Sequence, residues 1–373
     1  MSNTSTVKQT ETSTTDEYSI EWYSDTDREA FLSLYETTFG KASVEWFKWK
    51  YEANPYVDSV PMYVAKNGDD LVGASPFFAL GLAFGDRSLL ALQPADAMVH
   101  PDHRKNGLLT RMTEQAIDWY SDHEPAMFFN FPNPQSKGVF LRLGWEVVDE
   151  LPTHYWIRNP SRLLDETRSG IVGSGVEMAG KRLMDGYFLA KERLAGFPND
   201  EVSITRHDEI PIGEFTDLYR SHIPEKFHVA RDEAFYQWRF DHPHWEYTTY
   251  LARQEEVPVA GVIVGTKTSG GVTITKVTDV LPLPGPKQQS GALSSLLFTV
   301  IREHHDSDLL AVRDETIPRK VLRGCGFHRD DSFPLSRTTN QTVLVARSLD
   351  HGMDVALSDT SNWHFSFVQQ DSS

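Results

Sequence analysis

The stretch WFKWKYEANPY at residues 46–56 returns in altered form as FYQWRFDHPHW at 235–245. Trp49 matches Trp238, Lys50 matches Arg239 and Tyr51 matches Phe240. Further matches follow in the same order: MYVAK at 62–66 with TYLAR at 249–253, Gly73 with Gly261, Gly107 with Gly291, and FLRLGW at 140–145 with LRGCGF at 322–327. The offsets stay between 182 and 189 residues. Weak matches kept in order over half a chain are the mark of an internal repeat. The 373-residue chain is therefore expected to hold two copies of one fold, in line with the two-domain prior for its length.

Periodicity outlines the first copy. Residues 27–39 have helical spacing, with Phe31, Leu34, Tyr35 and Phe39 on one face. Residues 62–66 and 71–80 read as two strands of a hairpin turning at Asn67-Gly68. LLALQPADAMVH is a further strand, Leu108–Tyr120 a helix, AMFFNFP a buried strand, Gly138–Leu143 a short helix, and WEVV opens the next strand. Strands alternating with helices argue for an α/β fold on a mixed sheet. Residues 1–17 are rich in Ser and Thr and nearly devoid of large apolar groups, so a disordered tail is expected there. The units then read as 18–157, a glycine-containing linker with a helix at 158–200, and a second copy at 201–373.

Composition narrows the partners. Asp and Glu number 53 against 36 Lys and Arg, a formal charge of -17. Such a surface does not suit non-specific nucleic-acid binding, which needs a basic face to displace counterions. The acidic excess looks like the cytosol of a salt-accumulating halophile, with an ordinary acidic soluble protein as the alternative. The single cysteine, Cys325, excludes an internal disulfide and a thiolate metal cluster, and reads as packing. The amino terminus has no apolar core of a signal peptide and no run is long enough to span a membrane, so a soluble, cytoplasmic chain is expected. REHHDSD at 302–308 has no standard metal-site spacing; no metal is expected.

Against this acidic background PDHRKNGLLTRM, residues 101–112, places His103, Arg104 and Lys105 just ahead of a helix. A helix amino terminus carries unsatisfied N–H groups and about half a positive charge. A basic turn wrapped around it, with Gly107 allowing close backbone approach, makes a cradle for a phosphate or pyrophosphate.

The strand DAMVH, the turn HRKNGLL, a buried strand and then NPQSKGVFLRLGW together resemble the GCN5-related N-acetyltransferase (GNAT) superfamily. The resemblance covers residues 20–157 well and 201–348 faintly. It implies two tandem acyl-CoA N-acyltransferase folds. Arg104, Lys105, Asn106, Gly107, Leu108 and Leu109 then fill the turn whose amides hold the pyrophosphate of acetyl-CoA. Leu109 departs from the family's Gly or Ala there. The resemblance also implies that the strand Ala97-Met98-Val99 pairs with the pantetheine arm. An N–H of Met98 or Val99 would face the thioester oxygen, and Asn133 and Ser136 would line the coenzyme's other side.

Acetyl transfer to an amine needs a base to take a proton. Asp96, three residues before Val99, is the candidate; a structural aspartate is the alternative. The position that the family often gives to a tyrosine acid is Phe140. His100 and His103 flank the turn, and His154 and Tyr155 are further candidates on the acceptor side. Trp46, Trp49 and Tyr51 read either as an acceptor pocket or as core. In the second copy the turn is LPGPKQQSGAL, where Pro284 and Pro286 remove amide donors and no arginine stands. That copy is expected to bind no coenzyme. The expected activity is direct acetyl transfer from acetyl-CoA to a small-molecule or peptide amine, and a homo-oligomer is allowed. The rival reading is an acyl-CoA-binding sensor or assembly module without chemistry.

Overall fold

The computed structural model describes residues 18–160, 202–333, 335–337, 341–349 and 354–371. The expected tail at 1–17 and nearly all of the expected linker at 158–200 lie outside the described residues.

The first half supplies β1 (Ser19–Trp22), β2 (Met62–Asn67), β3 (Asp70–Phe84), β4 (Arg87–Pro94), β5 (Met98–Val99), β6 (Met127–Asn130), β7 (Glu146–Leu151) and β8 (Thr153–Ile157). The second supplies β9 (Ser203–His207), β10 (His228–Val229), β11 (Glu246–Gln254), β12 (Val257–Ser269), β13 (Val272–Leu281), β14 (Leu309–Arg313), β15 (His328–Arg329) and β16 (Thr342–Ser348). One sheet runs β1-β2-β3-β4-β6-β16-β7 and the other β9-β11-β12-β13-β14-β8-β15. The two orders correspond strand for strand. In each, the fourth and fifth strands pair in parallel, β4 with β6 and β13 with β14, and the other neighbours are antiparallel. The repeat read from scattered residues is thus a repeat of architecture.

The sixth place in each sheet is filled from the other half. β16 lies between β6 and β7, and β8 between β14 and β15. Hence the sheets do not part at residue 157, where the sequence placed the end of the first unit. Pro152 alone joins β7 to β8. One residue is too short for a hairpin, whose tightest common loops have two, so β8 runs on into the other sheet. Arg313 secures the crossing. Its guanidinium donates to the Leu151 carbonyl at 3.1 Å, to Thr153 Oγ1 at 2.8 Å and to Thr342 Oγ1 at 3.2 Å.

Helices cover the sheets: α1 (Arg28–Phe39), α2 (Val44–Phe47), α3 (Leu108–Tyr120) and α4 (Pro134–Arg142), then α5 (Ile212–Ser221), α6 (Glu233–Arg239), α7 (Ser290–Glu303), α8 (Arg319–Gly324) and α9 (Asp354–Ser358). α3 has the bounds that periodicity predicts. α4 starts four residues before the predicted Gly138, because Asn133 caps it and Pro134 suits the first helical position. α4 and α8 end alike: Gly144 and Gly326 have φ of 84° and 88°, and the next amides, Trp145 and Phe327, return to Phe140 O and Leu322 O at 3.1 and 2.9 Å. After α2 the chain widens into a π turn over Lys48–Glu52. Trp49, Lys50 and Tyr51 are all buried there.

The halves share a core. Phe31, Phe47 and Phe78 pack in one cluster with Phe215, Phe235 and Trp238, while a smaller cluster lies on the outer face of each sheet. Trp46, Trp49 and Tyr51 belong to the shared core, as the packing reading had it. Phe39, expected on the buried face of α1, is 53% exposed. The last turn of α1 overruns the core and reaches the rim of a cleft. Cys325 is buried.

Candidate active site

β4 and β6 pair through only two positions, Ala91 with Met127 and Leu92 with Phe128. Beyond them the strands splay. Pro94, which has no N–H, ends β4, and the chain bulges through Ala95, Asp96 and Ala97 before β5 resumes pairing with β3. Asp96 takes the left-handed conformation at the bulge, with φ of 49°. The opening is a cleft of about 650 Å³. Pro94–Val99 form one wall, Asn130–Asn133 the other, and the turn before α3 closes one end.

That turn is open for a ligand. A short 3₁₀ turn at Pro101–His103 leads into Arg104, Lys105 (φ of 67°) and Gly107 (φ of 70°). Gly107 is the N-cap of α3 and offers no side chain to its first amides. These N–H groups and the helix dipole are thus directed at the cleft without an internal acceptor. Arg104, Lys105, Asn106 and Gly107 are exposed. Arg104 Nε donates to the Val99 carbonyl at 3.2 Å, tying the turn to β5. Tyr18, which the sequence reading passed over, holds the turn from beneath. Its hydroxyl meets His103 Nδ1 at 3.0 Å and accepts from Asn106 Nδ2 at 3.1 Å, and its carbonyl accepts from Arg111 at 2.9 Å. Asn106 and His103 are thus engaged in shaping the loop.

The His100 amide donates to Val72 O at 2.8 Å on the β3 side. Alternation along an antiparallel pair then turns the N–H and C=O of Val99 toward the cleft and those of Met98 toward β3. Of the two donors named from sequence, Val99 is the one whose N–H faces the opening. Met98 is buried in the core, and Ala97 and Leu109 line the cleft.

Asp96 stands at the other end, and it is not isolated. Its Oδ2 accepts from Lys50 Nζ at 2.5 Å and from the Tyr51 hydroxyl at 2.6 Å. Lys50 also reaches Asp371 Oδ2 at 2.9 Å, and Asp371 lines the same cleft. Burial alone would favour loss of the Lys50 proton; the carboxylates of Asp371 and Asp96 outweigh it and hold the ammonium's pKa above its ordinary value. Tyr35 feels the same cluster. Burial, and then Asp96, push its hydroxyl up to about 12. Sequence reasoning missed Lys50 and Asp371. Lys50 carried only the repeat match, and Asp371 lies 275 positions from Asp96, in a segment with no motif.

Asn133 and Ser136 also line the cleft, but as parts of a helix cap. Asn133 Oδ1 accepts from the amides of Gln135 and Ser136 at 3.0 and 2.9 Å and from Ser136 Oγ at 3.1 Å. Phe140 is buried against Trp145 at the cleft wall. His154 and Tyr155 are not at the cleft. They lie on β8 in the other sheet, where His154 Nε2 meets Asp314 at 2.8 Å.

The chain has counterparts among known proteins. The model of the acetyltransferase (GNAT) domain matches residues 19–148. Residues 19–148 form a GNAT acetyltransferase domain. No curated protein matches the sequence. Among solved structures, a GCN5-related N-acetyltransferase from Anabaena variabilis aligns with 91% of this chain and 74% of its own, at 11% identity and a TM-score of 0.60. A tandem GNAT protein from the clavulanic acid biosynthesis pathway aligns with 89% of this chain and 99% of its own, at 12% identity and 0.55. N-myristoyltransferase of Saccharomyces cerevisiae aligns with 88% and 78%, at 10% and 0.58. The whole chain therefore has a tandem GNAT fold, as the repeat and the motif set led one to expect.

The second GNAT fold differs at the corresponding place. β13 keeps four parallel pairs with β14. The aspartate matching Asp96 is Asp279, beside a bulge between the pairs of Ile263 and Val264. It is fully buried and sealed by Arg231, whose Nε and NH2 meet its carboxylate at 2.8–3.1 Å. In the turn before α7, His222 packs against Gly285, and Gln288 Nε2 donates to Pro282 O and Thr316 O. Gly291, the sequence match for Gly107, lies inside α7 rather than at its cap.

Proposed function

We propose that the N-terminal GNAT fold binds acetyl-CoA and transfers the acetyl group to an amine by direct attack, and that the C-terminal fold binds no coenzyme. The observation that carries this reading is the uncapped amino terminus of α3 behind exposed Arg104 and Lys105, at one end of a cleft whose other end holds carboxylates. Arg104, Lys105 and the amides of Leu108 and Leu109 would receive the pyrophosphate. Ala97–Val99 would pair with the pantetheine arm, and the Val99 N–H would steady the oxyanion formed when the amine attacks the thioester carbonyl. Asp96, with Oδ1 bonded by no described residue, would take the amine's proton. The sealed Asp279, and a turn before α7 that has two prolines and no arginine, support a silent second copy.

Calorimetric titration of acetyl-CoA tests the reading, in molar potassium chloride to suit the acidic surface. One site per chain is expected. Arg104→Ala weakens it by about 10-fold or more, since a charge-assisted hydrogen bond is worth about 1.5–3 kcal/mol. Unchanged affinity removes the cradle assignment. Binding with no thiol release toward any primary amine would instead assign a sensor.

A further inference from the structure

Lys50 lies where three parts of the chain meet. It sits on the π turn after α2, Asp96 on the bulge after β4, and Asp371 on the C-terminal segment from the other half. Its side chain is 2% exposed and Nζ lies 5.2, 5.6 and 6.0 Å from the ring centres of Trp46, Tyr51 and Phe78. The aromatic walls leave the ammonium one polar direction, toward the two carboxylates. The C-terminal segment arrives there by a built route. Trp363–Gln369 are buried; Arg231 NH2 donates to Ser366 Oγ at 3.2 Å, and Arg239 donates to Val368 O at 3.1 Å and to Gln370 O at 2.8 Å. Arg239 is the sequence match of Lys50. The two equivalent cations thus grip one strap, Arg239 by its backbone and Lys50 by its last described side chain.

We propose that Lys50 is a positioning residue that latches the C-terminal segment into the N-terminal cleft and, through Asp96 and Asp371, fixes the acceptor end of the site. Each carboxylate gives Oδ2 to the ammonium. Lys50 does not face the coenzyme cradle, so it acts on transfer and not on acetyl-CoA binding. The proposal rests on the acyl-transfer reading above for its catalytic part and on the strap geometry for the rest.

The test compares full-length Lys50→Met, Lys50→Arg and Asp371→Ala with the unaltered protein. Acetyl-CoA affinity is measured by calorimetry, thiol release from acetyl-CoA with a panel of primary amines, and hydrogen–deuterium exchange over residues 363–371. Lys50→Met should lower kcat by about tenfold or more with acetyl-CoA affinity and KM little changed. Its strap amides should exchange at least about tenfold faster. Lys50→Arg should recover most of both, because a guanidinium serves at the matching site. Asp371→Ala should move both readouts in the direction of Lys50→Met. Unchanged kcat and unchanged exchange in Lys50→Met overturn the proposal; so does a loss confined to acetyl-CoA affinity. Should Lys50→Met fail to fold, Asp371→Ala, at a side chain that is 24% exposed, decides on the same two readouts. Acetyl-CoA binding without turnover in the unaltered protein would sink the transfer reading alone, and strap exchange would then decide on the latch.

Discussion

The indole N–H of Trp49 donates to the backbone carbonyl of Trp238 at 2.9 Å, and the indole N–H of Trp238 returns the bond to the carbonyl of Trp49 at 2.8 Å. The rings stack at 6.1 Å with an 18° tilt, fully inside the shared core. The two residues that mark the repeat in the sequence therefore touch at its pseudo-twofold centre. Trp238→Phe leaves the buried Trp49 carbonyl without its indole donor and should cost about 1–3 kcal/mol in denaturant unfolding. Trp49→Phe should cost less, because the Trp238 carbonyl keeps the Asp241 amide at 3.2 Å. Because they share one contact, the double substitution should depart from additivity, and strict additivity would show the pair to be uncoupled.

The crossing of β8 and β16 predicts how the chain responds to cutting. Each sheet holds an interior strand from the other half. A single protease site engineered between residues 161 and 201 should, once cut, leave one particle on size-exclusion chromatography under native conditions. The fragments produced separately should be insoluble or unfolded, since each lacks an interior strand. Two independently folded monomers would contradict the exchange.

Arg231 and Asp279 form a fully buried ion pair, each 0% exposed. Removing one partner strands the other charge, so Arg231→Met should cost about 3–5 kcal/mol. Arg231→Met with Asp279→Leu removes both charges and should recover much of that loss. Neither change touches the N-terminal cradle, so acetyl-CoA affinity in folded samples should stay as it was.

Acid should destabilise the protein from near neutrality. Burial, and then Arg231, push the His228 imidazole from 6.5 down to about 4; burial, and then Arg239, push His242 down to about 2. Burial also holds His364 well below the usual range. His228 Nδ1 lies 2.6 Å from the Lys226 carbonyl, which can only accept, so the neutral ring donates there and its Nε2 accepts from Tyr219. The folded pKa values lie below the unfolded one, so the unfolded chain binds more protons between them. Stability is complete above about pH 6.5 and falls as pH drops toward 4. At pH 5 the loss should approach about 2 kcal/mol for each such group. Denaturant unfolding at pH 8, 6 and 5 reads it, and a level profile would contradict the neutral assignment.

What the sequence revealed followed from how local the cause was. Leu108–Tyr120 was legible to the residue because a glycine cap and a strong apolar period act within a few positions. The exposed basic turn ahead of it was legible for the same reason, since Gly107 stands at that cap. Trp49 and Trp238 could be paired by comparing the chain with itself. The strand exchange was not legible, since nothing local in β8 or β16 says which sheet it joins and only the one-residue link at Pro152 hinted at the crossing. Nor was the Asp96–Lys50–Asp371 cluster, which joins residues from both ends of the chain and depends on a π turn that no spacing rule announces.

The reciprocal placement of β8 and β16 has a genealogical meaning. Two separate copies that traded their last strands would build the same pair of sheets as this single chain, so joining them end to end turns a swapped dimer into one molecule. In the joined molecule Arg231 occupies the place beside Asp279 in one fold, while the C-terminal segment of that same fold runs to the cleft of the other.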